Sequence, residues 1–162
     1  MDTARSTDRP RLPPWASPPP GRLIGRGHPA GDFLEAWAWD LVVSEPGHLR
    51  LRSHLPDHVK NPRGQLFGGF TPAYVDLVAL FTARLGHPGG GRAAGPWLAT
   101  TNMAIDYFEP IVGPTFEIDN QLEKRRGRTA MVATRMYQHG ELAVFALTTM
   151  REMASDRPLG DA

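Results

Sequence analysis

Apolar and polar positions alternate with a period of two through most of the chain between Gly31 and Met153. Trp37–Val43 is an apolar, strand-prone run, and Glu45-Pro46-Gly47-His48 signals a turn after it. Leu49, Leu51, Ser53 and Leu55 then alternate, so a first hairpin is predicted. Further strands are predicted over Trp97–Phe108, with Met103, Ile105 and Tyr107 on one face, and over Phe116–Arg125. Thr129–Tyr137 and Glu141–Met150 read as two more, joined by a short turn at His139-Gly140. Arg125-Arg126-Gly127-Arg128 makes the turn ahead of that pair.

One segment departs from this period. Pro72–Leu85 is long, rich in Ala and Leu, and ends at Gly86. Thr71 suits an N-cap, Pro72 the first turn and Gly86 the C-cap, which predicts a helix. From Phe70 to Phe81 it has no polar face, and a helix apolar all round is one enclosed by other structure. Among five or six antiparallel strands, the economical arrangement is a sheet curled around that helix.

Composition narrows the setting. The 162 residues suit one domain, and 18 Lys plus Arg against 17 Asp plus Glu leave no excess of positive charge to hold nucleic acid. The absence of Cys excludes disulfides, thiolate nucleophiles and Cys-ligated metals. No apolar run approaches the ~20 residues of a membrane span, and the first residues lack the apolar core of a signal peptide. A soluble, cytoplasmic protein without nucleic-acid or membrane partners is expected. Seven of the 16 Pro fall within Met1–Ala30, among five Arg and scattered apolar residues. Residues 1–30 are therefore expected to form a Pro/Arg-rich disordered tail, residues 31–154 the domain, and 155–162 a C-terminal tail. A Pro-rich ligand for an aromatic groove is the functional alternative for the first tail, but no clean PxxP pattern with flanking anchors stands out.

Asp76 is the position that conflicts with its surroundings. It lies midway along the apolar helix, and positions i±3 and i±4 hold Pro72, Ala73, Ala79 and Leu80, none of them cationic. A buried, unpaired carboxylate costs several kcal/mol, so it needs either a local hydrogen-bond network or a role as base, nucleophile or water-orienting group. Just upstream, Gly68-Gly69 precedes the helix. Glycines there let a ligand approach the backbone closely and leave N–H groups at the positive end of the helix dipole, which suits a developing oxyanion, although a plain turn also explains them.

Asn61, Gly64, Gly68-Gly69, Asp76, Tyr107-Phe108-Glu109-Pro110 and Gly127-Arg128 together resemble the PaaI-like acyl-CoA thioesterases of the hotdog-fold superfamily, over roughly Leu49–Met150. The resemblance implies an α+β hotdog fold and hydrolysis of an acyl thioester to an acid and coenzyme A, without metal or other cofactor. It implies that the Gly68 N–H, with Gly69, binds the thioester carbonyl, and that Asp76 activates water or attacks directly, across a dimer interface. Asn61 would position the water or the thioester, and Thr100 would also hold the water. The family's His before the two glycines is Phe67 here, which is read as changing acyl preference, because backbone donors do not depend on that side chain.

Weaker signals complete the reading. His54 and His58 are too few for a metal site and fit a polar loop. Gly89-Gly90-Gly91-Arg92 follows a helix, the reverse of a dinucleotide fingerprint, and reads as a connector from which Arg92 could reach a phosphate. The turn carrying Arg126 and Arg128 is either a solvated hairpin or an attractor of coenzyme A phosphates. Phe67 and Phe81 are candidates for lining an acyl pocket. An uncovered edge strand predicts a homodimer with a continuous sheet, or a homotetramer built from two such pairs. Three alternatives remain: action on an acyl carrier protein, a hydratase (disfavoured because no His lies on the helix), and a non-catalytic acyl-thioester binder.

Overall fold

The computed structural model describes residues 13–88 and 96–153. The elements are α1 (Pro29–Phe33), β1 (Asp40–Glu45), β2 (His48–His54), α2 (Thr71–Leu85), β3 (Leu98–Tyr107), β4 (Thr115–Arg126), β5 (Thr129–Gln138) and β6 (Glu141–Glu152). The six strands form one antiparallel sheet in the order β1-β2-β4-β5-β6-β3, and α2 packs against β2 to β6. This is the α+β arrangement expected, a sheet curled around one long helix.

The period-two pattern explains the register. Leu49 and Leu51 on β2, Phe116 and Ile118 on β4, Val132 and Met136 on β5, and Ala146 and Met150 on β6 all face inward and are buried. Opposite them lie Tyr74, Val75, Val78 and Phe81 of α2, each apolar side chain contributing about 1.5–3 kcal/mol on leaving water. The β5–β6 hairpin closes through His139 and Gly140, both at positive φ (53° and 84°), the geometry a two-residue turn needs to match strand twist.

Four local expectations need correction. Trp37–Val43 is not one strand: Ala36–Ala38 makes a single tight turn before β1, which lets Trp39 turn inward and stack on Tyr74 with ring centres 5.4 Å apart. Thr71 does not cap α2; Phe70 occupies the cap position without a side-chain bond, and Thr71 is the buried first helical residue. The helix is not enclosed all round, because Ala73, Asp76, Leu80 and Arg84 form a half-open stripe at helical spacing.

The fourth concerns the amino-terminal tail. Residues 1–12 and 154–162 lie outside the described residues, so the C-terminal tail does too. Residues 13–30 are not a loose tail. Leu23 and Ile24 are 1% and 0% exposed in the main core, and Trp15 packs against it. An irregular segment needs no periodicity to bury two side chains, and Gly25 is small enough to let this one fold tightly: a Cβ there would lie 2.9 Å from the Pro14 carbonyl oxygen.

Candidate active site

The loop into α2 is built from its own polar groups. Asn61 Oδ1 accepts from the N–H groups of Arg63 (2.9 Å) and Gln65 (3.1 Å), while its backbone N–H donates to the Gln65 carbonyl (2.7 Å). Gly64, with φ at +75°, makes the reversal between them. Asn61 is thus committed to shaping the loop. The strand-like exit is pinned on both sides, Leu66 N–H to the Ile111 carbonyl (2.8 Å) and Phe67 N–H to the Val59 carbonyl (2.9 Å).

The glycine pair follows. The Phe67 carbonyl accepts from Phe70 N–H (2.9 Å), and the Gly68 carbonyl accepts from Thr71 N–H (3.3 Å) and from the Tyr107 hydroxyl (2.9 Å). In a trans peptide the N–H points opposite to the preceding carbonyl. Both carbonyls turn into the start of the helix, so the Gly68 and Gly69 N–H groups turn outward together. Neither has an acceptor among the described residues. Two parallel backbone donors at a helix start are chemically suited to an anionic oxygen. A Cβ at position 69 would lie 2.6 Å from the Phe67 ring, so that half-exposed ring would have to move to admit any other residue. That ring is 50% exposed and meets Phe70 edge-on; Phe70 in turn meets Phe33.

Asp76 sits on the half-open stripe of α2, where the Thr100 hydroxyl donates to Asp76 Oδ1. The contact depends on a bulge in β3. Register slips between Thr100 and Asn102, with Thr101 as the extra residue, its hydroxyl donating to the Thr149 carbonyl (3.1 Å). The slip turns Thr100 toward the helix while the rest of β3 stays paired with β6. Asp76 and Thr100, two of the three residues named for the water, are thereby brought together, and no ion pair of Asp76 is found among the described residues.

Within one chain these two clusters stand apart. Asp76 stands seven positions after Gly69, about 10 Å along the axis at the ~1.5 Å per residue of a helix. A cavity of about 320 Å³ opens beside Gly68, Thr71, Tyr107, Phe108 and Ile111, and Asp76 does not line it. A second, of about 440 Å³, lies on the outer face of the sheet between Arg50, Arg52, Glu117, Asp119 and Tyr137, and contains none of the candidate site residues.

The remaining candidates divide. Phe81 is 3% exposed, in the core, so it does not line an open acyl pocket beside Phe67; an apolar helix does not reveal in one dimension which face is open. Arg126 and Arg128 are exposed on the β4–β5 turn, with Arg128 donating twice to the Glu152 carbonyl, whereas Arg125 points inward and caps α2 through the Ala83 carbonyl (2.6 Å). Arg92 lies outside the described residues. His54 pairs with Glu35, and His58 bonds to the Phe33 carbonyl (2.6 Å), so the two are held by different partners. Burial, with a smaller contribution from the Glu35 charge, holds the Tyr74 hydroxyl well above the usual phenol range and keeps it neutral. Tyr107 belongs to the motif, but no sequence pattern reveals its contact to the Gly68 carbonyl.

No family model matches the chain, and no curated protein sequence matches it. Solved structures do. The Haemophilus influenzae thioesterase HI1161 is similar with a TM-score of 0.67 at 10% identity, over 81% of this chain and 87% of its own. E. coli PaaI, from the phenylacetic acid degradation operon, gives 0.66 at 12% identity over 79% and 86%. A Streptococcus mutans UA159 protein bound to acetyl CoA gives 0.60 at 21% identity over 71% and 88%. At these identities the likeness establishes the fold, and it is the hotdog fold.

Proposed function

We propose that this chain hydrolyses an acyl thioester, with coenzyme A as the thiol carrier. The observation that carries the reading is Asp76: a half-buried carboxylate on a largely apolar helix, with no ion-pair partner among the described residues, held by the Thr100 hydroxyl. A carboxylate so placed, reachable by water and held by a hydroxyl rather than by a cation, is suited to accept a proton. The outward N–H groups of Gly68 and Gly69 would polarise the thioester carbonyl and bind the oxyanion as it forms. Asp76 would accept a proton from a water that Thr100 helps to orient, and the resulting hydroxide equivalent would add to the carbonyl carbon. Collapse of the tetrahedral intermediate breaks the C–S bond, releases the acid and expels the thiolate, which takes up a proton.

Geometry adds a condition. Donors and base about 10 Å apart cannot serve one carbonyl and one water, so Asp76 of one copy would work with the glycine pair of a second. The open edge of β3 and the half-open stripe of α2 supply the surface for that pairing. Acetyl CoA bound to a protein of the same fold supports coenzyme A as carrier, and exposed Arg126 and Arg128 are suited to attract its phosphates. Asn61 contributes by holding the loop in shape.

The test is hydrolysis across aryl-, short- and long-chain acyl-CoA substrates by wild type and Asp76→Asn. Turnover by the wild type, with kcat reduced about 10²- to 10⁴-fold in the variant, is expected for loss of a general base. A variant with near-wild-type kcat removes Asp76 from the mechanism; binding without turnover by the wild type makes the chain an acyl-thioester binder.

A further inference from the structure

We propose that Tyr107 is a positioning residue for the paired backbone donors: its hydroxyl, by holding the Gly68 carbonyl, fixes the plane of the Gly68–Gly69 peptide and so aims the Gly69 N–H. The inference rests on the thioester-hydrolysis reading above. The peptide in question is flanked by glycine on both sides, so the torsions that rotate it meet little steric resistance. The helix start restrains it with a single long bond, Thr71 N–H to the Gly68 carbonyl at 3.3 Å. The shorter bond comes from outside the loop, the Tyr107 hydroxyl at 2.9 Å from the same oxygen.

The ring adds to the grip. A Cβ placed on Gly68 would lie 3.8 Å from Tyr107 Cε1, ordinary contact distance, so the ring lies against the first glycine. On the other glycine the Phe67 ring stands closer still, 2.6 Å from where a Cβ would be. An aromatic ring thus borders each glycine, and of the two rings only that of Tyr107 carries a hydrogen bond to the peptide. Within a single copy Tyr107 is 53% exposed, so its engagement with Gly68 is not forced by burial in its own chain. An oxyanion donor is effective because it is already aimed before the charge develops, and a misplacement of about 1 Å can cost about 10²-fold in rate.

The full-length Tyr107→Phe variant tests this, because it keeps the ring and removes only the hydroxyl. With benzoyl-CoA and hexanoyl-CoA, kcat is expected to fall about 10- to 100-fold while KM stays within about 3-fold. The thermal midpoint should remain within a few degrees, and the Gly69 amide resonance should shift in proton–nitrogen correlation spectra without ligand. An unchanged kcat, a loss confined to KM, or an unmoved Gly69 resonance overturns the proposal. If the wild type hydrolyses substrate and the variant equals it, this inference alone fails; if the wild type hydrolyses no thioester, the catalytic reading fails and this one with it.

Discussion

The two edges of the sheet are treated differently. β1, six residues long, is covered: the Gly21 carbonyl accepts from Leu41 N–H (2.9 Å), and Arg22 reaches both the Ala38 carbonyl (2.8 Å) and Asp40 (2.7 Å). Behind those contacts, Leu23 and Ile24 enter the core. β3, ten residues long, has β6 on one side and no strand on the other among the described residues. A long open edge invites pairing with another chain unless something blocks it, and the chain protects the edge remote from its polar site while leaving bare the edge that carries Thr100 and Tyr107. On the proposed reading, the covered edge serves stability and the bare one assembly and chemistry.

That contrast can be broken from either side. Beside the bare edge, where Thr100 of β3 meets Asp76 of α2, the largest effect expected is on turnover: Asp76→Asn should lose its 10²- to 10⁴-fold in kcat with a thermal midpoint within a few degrees of wild type. On the covered edge Ile24→Ala should do the reverse. Truncating a fully buried Ile costs about 2–5 kcal/mol, or roughly 5–15 °C in melting temperature for a chain of this size, with kcat retained below the melting range. A variant that loses activity without losing stability would give the amino-terminal segment a part in the site. The smallest effect belongs to the turn beside the β3–β6 end of the sheet. Arg126→Ala with Arg128→Ala should raise KM for an acyl-CoA several-fold and flatten its dependence on salt, leaving kcat alone. If KM is unmoved by charge removal and by salt, that turn is a solvated hairpin.

Much of the fold was readable in one dimension because two periods compete in this chain. Strands of period two and one apolar helix specify a curled sheet, and the hairpins at Gly47, Gly127 and Gly140 carry glycine where φ is positive. What periodicity could not reach was irregular structure. Leu23 and Ile24 are adjacent apolar residues in a Pro-rich run, and their burial depends on a path set by turns rather than by spacing. The site divides in the same way. Asp76 stood out because a carboxylate in an apolar run violates a simple rule. Its meeting with Thr100 depends on a bulge that Thr100-Thr101-Asn102 does not announce. The motif gives Asn61 the water or the thioester and does not reveal that its side-chain oxygen accepts two loop N–H groups; the sequence offers Phe81 for the pocket, whereas Phe81 is buried in the core.

The claim beneath all of this is that base and oxyanion donors come from two copies of the chain. Subunit complementation tests it most directly. Asp76→Asn and Gly69→Val proteins, each inactive alone, are unfolded together, refolded as a mixture and assayed on an acyl-CoA. Random pairing makes half of the dimers mixed, each with one intact site of two, so about a quarter of wild-type activity should return. No activity above that of the separate variants would contradict a shared site.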